Sequence, residues 1–271
     1  MQSISKRVNH ENVALVNRAN SAILLGIIKC GNKIFVPKEG GWLTYKKYAK
    51  QLGKECVEIE TDQAIIDLDD LERKINNKES GDVGNVFIYH SLGGYCAPQD
   101  IRKIYQICKE NNCIVVMDVC GSFGTKFCDG KFADICLGSF GKWKIIDFGC
   151  GGFMSFQTKE MHEMFKPLLS AVTFVTDEKK YEDLLHKIDS TEERVEFLQN
   201  KREKIVRDLR KSEIVHKKAS VGFVVIIKPK TELEKLEIIG YCTKNGLEYT
   251  LCPREIRILE EAISIEIKRL S

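Results

Sequence analysis

No two of the eleven cysteines form a CxxC pair; they stand at positions 30, 56, 96, 108, 113, 120, 128, 136, 150, 242 and 252. Zinc and iron–sulfur sites usually show paired local spacing, so no metal is expected. Most of these cysteines lie in apolar runs and read as small buried hydrophobes in a reducing compartment. No apolar run approaches the ~20 residues of a membrane span. The start, "MQSISKRVNHENVALVNR", has one short apolar patch and no small-residue cleavage pattern. It does not read as a secretory leader, and a cytoplasmic setting is expected. Neither GxGxxG nor GxxxxGK[ST] occurs, which argues against a plain nucleotide-binding α/β domain. Charge of one sign is also missing. The 42 basic and 39 acidic residues leave a net +3, which gives no reason to invoke nucleic acid or an anionic membrane.

What is present is a chain of 271 residues, 43% hydrophobic and 30% charged, which suits one or two globular domains. Short apolar, β-branched runs alternate with amphipathic segments. "NVALVN", "KIFVP", "CVEIE", "NVFIYH" and "CIVVMD" read as strands. "SAILLGIIKC", "WLTYKKYAKQLG", "DLDDLERKINN" and "PQDIRKIYQICKENN" read as the helices between them. "ADICLGSF" and "GGFMSF" add two more strands. This alternation predicts an α/β fold with a mostly parallel central sheet covered by helices on both faces. After about residue 157 the texture changes to a long charged helix or helix pair, a strand, a helix and an ambiguous isoleucine-rich tail. The expected division is therefore a large domain over 1–157 and, over 158–271, a long helix with a small α+β domain.

Three features fall at predicted strand ends, the edge of an open parallel sheet where ligands bind. In "VNRANSA" a strand runs into Asn20 and Ser21 as a helix begins. Such a start favours a phosphate, although an ordinary helix cap accounts for it as well. Asp118 ends the apolar strand "CIVVMD". A carboxylate buried there needs a partner, such as a protonated heterocycle nitrogen, unless it caps a turn. "SFGKWKIIDFGCGG" offers Ser139, Lys142 and Lys144 before a glycine cluster. A desolvated lysine near other positive charge can have a lowered pKa and attack a carbonyl, while Ser139 can reach a phosphate. Aspartate for a ring nitrogen, lysine for an aldehyde, and serine with a helix start for a phosphate together describe pyridoxal 5'-phosphate.

On these residues the chain resembles the fold-type I pyridoxal-phosphate enzymes, and within them the DegT/DnrJ/EryC1/StrS aminotransferase family. Ser139 and Lys144 match that family's serine–lysine spacing, and Gly149, Gly151 and Gly152 match its glycine motif. This register selects Lys144 over Lys142. Asp118 and Gly124 match the acidic strand, and Ala19, Asn20 and Ser21 correspond to the phosphate loop. The resemblance further implies that His90 and Trp42 cover the cofactor ring. Cys150 replaces the family's acid, Gly121 replaces its polar residue, and the downstream asparagine–arginine segment is not found.

The resemblance implies a pyridoxal-phosphate-dependent aminotransferase. Lys144 would hold the cofactor as a Schiff base and move the substrate proton, and Asp118 would keep the ring nitrogen protonated. It would act on a small-molecule amine donor and an oxo or keto-sugar acceptor, and form a homodimer. Arg254 and Arg257 in "CPREIR" are candidates for a substrate carboxylate or for ordinary surface salt bridges. Two other readings stand beside it. One is a pyridoxal-phosphate-dependent lyase or sulfur-handling enzyme, motivated by Cys120 and Cys150 near the cofactor. The other is a non-catalytic binding protein, motivated by the shortened ends and the missing segment.

Overall fold

The computed structural model describes residues 1–29, 31, 33–76 and 84–270. The cysteine at position 30 and the last residue of "DLDDLERKINN" lie outside the described residues.

The chain begins with α1 (Gln2–Val8), β1 (Asn12–Val16), α2 (Ala19–Lys29), β2 (Lys33–Pro37), α3 (Thr44–Gln51) and β3 (Glu55–Ile59). A small hairpin, β4 (Thr61–Asp62) and β5 (Ile65–Ile66), precedes α4 (Leu68–Asn76) and β6 (Val86–His90). A second hairpin, β7 (Leu92–Gly93) and β8 (Ala97–Pro98), leads to α5 (Ile101–Glu110). Then come β9 (Ile114–Asp118), β10 (Ile135–Ser139) and β11 (Gly152–Phe156). Outside the two hairpins, the seven remaining strands form one sheet in the order β1-β11-β10-β9-β6-β2-β3. The five strands β10, β9, β6, β2 and β3 pair in parallel, and β11 and β1 close the edge antiparallel. The fold is α/β with a mostly parallel sheet, as the apolar runs predicted.

Every residue of β2, β6 and β11 is buried, because helices cover both faces of the sheet. The period of two divides the side chains. Phe87, Tyr89, Val115 and Met117 face a core with Leu71, Ile75, Ile104 and Cys108 of α4 and α5. Val86, Ile88, Val116 and Leu137 face the opposite core with Ala22 and Ile23 of α2 and Tyr45 of α3.

Helices α6 (Lys159–Leu169) and α7 (Glu178–Asp189) follow the last large-sheet strand but still pack on that sheet. Phe165 and Leu169 enter one core, and Leu184 and Ile188 enter the other beside Ile4 and Val8 of α1. The large body thus extends past residue 157. The charged segment is a pair, α7 and α8 (Thr191–Asp208). Beyond it lie β12 (Glu213–Ile214), β13 (Val225–Lys228), α9 (Glu232–Lys244), β14 (Tyr249–Cys252) and β15 (Ala262–Ile265). The ambiguous tail is strand. Its Ile263 and Ile265 are buried against Ile238 and Cys242 of α9, within an antiparallel sheet ordered β12-β13-β15-β14. Among the described residues no helix is long and apolar enough to cross a membrane.

Phe165 fills the core between α6 and β11, so Phe165→Ala should cost about 3–5 kcal/mol. A urea or thermal unfolding midpoint unchanged by this substitution would place α6 outside the cooperative large body.

Candidate active site

Parallel pairing sets the site. Register places His90 beside Asp118 at the carboxyl ends of β6 and β9. Ser139 ends the next strand, β10. The first turn of α2 reaches the same edge because Gly152 permits it. A Cβ on Gly152 would lie 3.0 Å from the Ala19 nitrogen and 2.5 Å from the Gly138 oxygen. Gly149 and Gly151 serve a different purpose, adopting φ of +88° and +82°, where an L side chain is strained. They close the loop after β10, whose neck is the Gly141–Gly149 bridge and the Phe148 N–H donated to the Phe140 carbonyl.

That loop carries Lys144 into a cavity of about 170 Å³. Arg18, Ala19, Asn20, Trp42, His90, Tyr95, Asp118, Cys120, Ser139 and Ile256 share its lining. Asp118 and Lys144 therefore face one space. Asp118 is buried, accepts from the Tyr45 hydroxyl at 2.5 Å through Oδ2, and accepts from the Cys120 N–H at 2.8 Å through Oδ1. Lys144 Nζ lies 5.1 Å from the Trp42 ring centroid and donates to the Tyr95 hydroxyl at 2.7 Å. The expectation of a lowered lysine pKa is corrected. Burial pushes the ammonium down, but Tyr95, Cys120 and Asp118 outweigh it and Lys144 is raised above its ordinary value.

Trp42 donates from Nε1 to Asn20 Oδ1 at 2.9 Å, which ties the aromatic wall to the start of α2. His90 Nδ1 bonds the Leu92 carbonyl at 2.7 Å, so it carries the proton and Nε2 is an acceptor. Nε2 is buried without a hydrogen-bond partner among the described residues, in a residue that lines the cavity. Burial holds the ring below its ordinary pKa despite Asp118, so it is neutral at pH 7. Ser139 Oγ accepts from the Gly141 N–H at 3.1 Å.

Three of the expected residues sit elsewhere. Ser21 is not in the lining, and its hydroxyl donates to Asn17 Oδ1 at 2.7 Å. Arg254 and Arg257 line an adjoining cavity of about 300 Å³, together with Lys142, Trp143, Lys268 and Arg269. This cavity shares Trp42, Tyr95, Lys144 and Ile256 with the first. Lys142 lines this second space and not the first, 4.8 Å from the Trp143 ring centroid. Arg257 is no surface arginine. It is buried, and donates to Glu266 from Nε at 3.1 Å and Nη2 at 2.6 Å. Burial raises the Glu266 carboxyl, but Arg257, Lys268 and Arg269 overcome this and hold it at about 2. Arg254 is exposed and has no ion partner among the described residues.

Arg18, Tyr45, Tyr95, Ile256 and Lys268 were not singled out from sequence. Tyr45 reads as an ordinary helix-core aromatic, and Tyr95 lies in a hairpin turn with no motif around it. Ile256 and Lys268 reach the site only through packing of the smaller sheet. One signal was available: Arg18 immediately precedes the helix start.

The cavity fits pyridoxal phosphate on its own geometry. A buried carboxylate, a lysine amine, an indole wall, an unpartnered histidine acceptor and the amides of a helix's first turn converge there. Cys120 fits a reactive sulfur less well. Burial and then Asp118 push its thiol well above the ordinary value despite Lys144, so it is protonated at pH 7. Cys150 is exposed and outside the lining.

The family model of the DegT/DnrJ/EryC1/StrS aminotransferase family matches residues 2–188. No curated protein matches the chain. Solved structures of similar fold include a serine palmitoyltransferase from S. paucimobilis, at TM-score 0.74 and 10% identity over 100% of this chain and 71% of that one. A NifS-like protein from Rickettsia africae is similar at TM-score 0.69 and 13% identity, over 99% of this chain and 81% of that one. A SepCysS–SepCysE N-terminal domain complex is similar at TM-score 0.70 and 16% identity, over 100% and 79%. At these identities the likeness is one of fold, the α/β fold of the fold-type I enzymes.

In the folded protein at pH 7, iodoacetamide should alkylate Cys150 and leave Cys120 untouched, as read by peptide mass spectrometry. Comparable labelling of both would show that the cavity holds a thiolate.

Proposed function

Because the chain belongs to the DegT/DnrJ/EryC1/StrS aminotransferase family, we propose that it is a pyridoxal-phosphate-dependent aminotransferase whose cofactor lysine is Lys144. The single observation that carries this reading is that Lys144 and Asp118 line one cavity with the first turn of α2.

When bound, pyridoxal phosphate supplies a carbonyl to which amines add and a pyridine ring that draws electrons from the substrate Cα. Lys144 is the residue that tethers it. As a neutral amine, Lys144 would take a proton from the substrate Cα and return it across the same cavity. Asp118 would keep the pyridine nitrogen protonated, its two carboxylate oxygens fixed by Tyr45 and the Cys120 amide. Asn20, Ser139 and the first-turn amides of α2 hold the phosphate, with Arg18 adding positive charge at the rim. Trp42 covers one side of the ring and His90 offers its unpartnered Nε2. Ser21 acts through Asn17 at the helix start. A homodimer belongs to the same proposal.

A substrate carboxylate is placed in the adjoining cationic cavity. Arg254 is free to pair there, whereas Arg257 keeps Glu266 and contributes charge. Lys268 is lowered to about 7, chiefly by burial and then by Arg257, against the pull of Glu266. It is an ammonium below that pH and a neutral amine above it. The KM for an anionic substrate should therefore rise as pH climbs through about 7, and Lys268→Met should flatten this dependence. A wild-type KM that stays level from pH 6 to 8 would remove Lys268 from substrate binding.

Borohydride treatment of the yellow holoprotein should leave a reduced adduct on the Lys144 peptide, absent in Lys144→Ala. Asp118→Asn should lower kcat by about 10²–10³, as loss of a preorganised charge does. Transfer of an amino group to an oxo acid or keto sugar supports transamination. Release of sulfide or alanine from cysteine would instead favour the sulfur-handling reading, and a yellow protein that turns over no amine would favour a binding protein.

A further inference from the structure

Tyr95 lies where the two cavities meet and lines both. Its backbone is left-handed, with φ +68°. A non-glycine residue holds such a conformation only when its surroundings impose it, and such residues cluster at functional sites. Here the surroundings are specific. The Tyr95 N–H donates to the Leu92 carbonyl at 2.8 Å, and its own carbonyl accepts from the Phe223 N–H at 2.8 Å. The ring is seated against Gly121, where a Cβ would come within 2.8 Å of Tyr95 Cδ1 and 2.4 Å of His90 Cε1. Gly121 thus has no side chain because Tyr95 and His90 fill its space.

Three cations surround this one ring. Lys144, Arg257 and Lys268 lie 5.3, 5.1 and 4.8 Å from its centroid, within cation–π reach. A phenylalanine would serve that purpose equally. The hydroxyl is what differs, and it accepts from Lys144 Nζ at 2.7 Å. Having accepted, the phenol still carries its own proton, and among the described residues no acceptor takes it.

We propose that Tyr95 is a positioning residue for Lys144: before cofactor binds, its phenolic oxygen fixes the amine in the cavity as an ammonium, and its free O–H is directed to an oxygen acceptor on the molecule bound there. The proposal rests on reading Lys144 as the cofactor lysine. It accounts for the absent side chain at Gly121 and the choice of tyrosine over phenylalanine, while the left-handed backbone belongs to the β7–β8 turn that presents the ring. Burial alone would push the Lys144 amine towards its neutral form, and the phenol is the closest group opposing that.

The test is Tyr95→Phe in the 271-residue chain before cofactor is added. Lys144 labelling by an amine-acylating reagent is followed against pH and resolved by peptide mass spectrometry. Loss of the oxygen should move the midpoint down by about one pH unit, so labelling below the midpoint rises about tenfold. An unchanged midpoint overturns the proposal. A merely structural tyrosine would alter the melting temperature without moving that midpoint. Should Tyr95→Phe not fold, NMR of the wild-type chain labelled with ¹⁵N-lysine decides. A Lys144 titration at or above the ordinary lysine value supports the proposal, and one below it overturns it. The borohydride adduct is scored separately. Its absence from wild-type Lys144 defeats the cofactor assignment, whereas a normal adduct with an unmoved midpoint defeats only the role of Tyr95.

Discussion

A carboxylate taken out of water must be compensated, and the organisation of this site follows from how Asp118 is. It ends an interior strand of a sheet covered on both faces, and is 2% exposed. Two donors reach it, the Tyr45 hydroxyl from α3 and the amide of Cys120 from its own turn. The remaining compensation is charge across the cavity, from Lys144. An isolated buried anion would cost far more than the fold could supply, so the lysine loop, the aspartate strand and α3 must meet. The same low-dielectric setting makes the pair useful, because each charge acts strongly on whatever lies between them.

Glycine permits the meeting at two points of different kind. At Gly149 and Gly151 the backbone turns through left-handed φ to close the loop that presents Lys144. At Gly152 the requirement is space, since β11 passes within contact of the first turn of α2. That approach brings the start of α2 to the same rim as the lysine.

The smaller sheet completes the site and gives it a sign. Ile256 joins the first cavity, and the Gly40 N–H donates to the Glu255 carbonyl at 2.7 Å, binding the two bodies at the rim. Buried Glu266 organises Arg257, Lys268 and Arg269 around one carboxylate. Arg269 also pairs with Glu248 at 2.6 Å, so below about pH 7 the cluster holds three cations against two carboxylates and keeps a net positive charge. This geometry suits an anionic substrate and has no equivalent in the nearly neutral composition of the whole chain.

Much of this was legible in the order of residues. Fully apolar β-branched runs separated by amphipathic segments encode a parallel sheet buried on both faces, because backbone hydrogen bonding and burial period are local. Strand ends then place Asp118, His90 and Ser139 on one edge, and the serine–lysine–glycine spacing brings Lys144 to it. Helix α1 escaped because it is short, and α6 because Pro167 interrupts its helical pattern. The isoleucine tail fitted both periods until β13 and α9 packed against it. Packing alone decided that Arg257 is buried, that Lys144 meets the Tyr95 hydroxyl, that Tyr45 reaches Asp118, and that Lys268 joins the second cavity. Those outcomes depend on which side chains from remote segments meet in a dry space, and one-dimensional spacing does not record that.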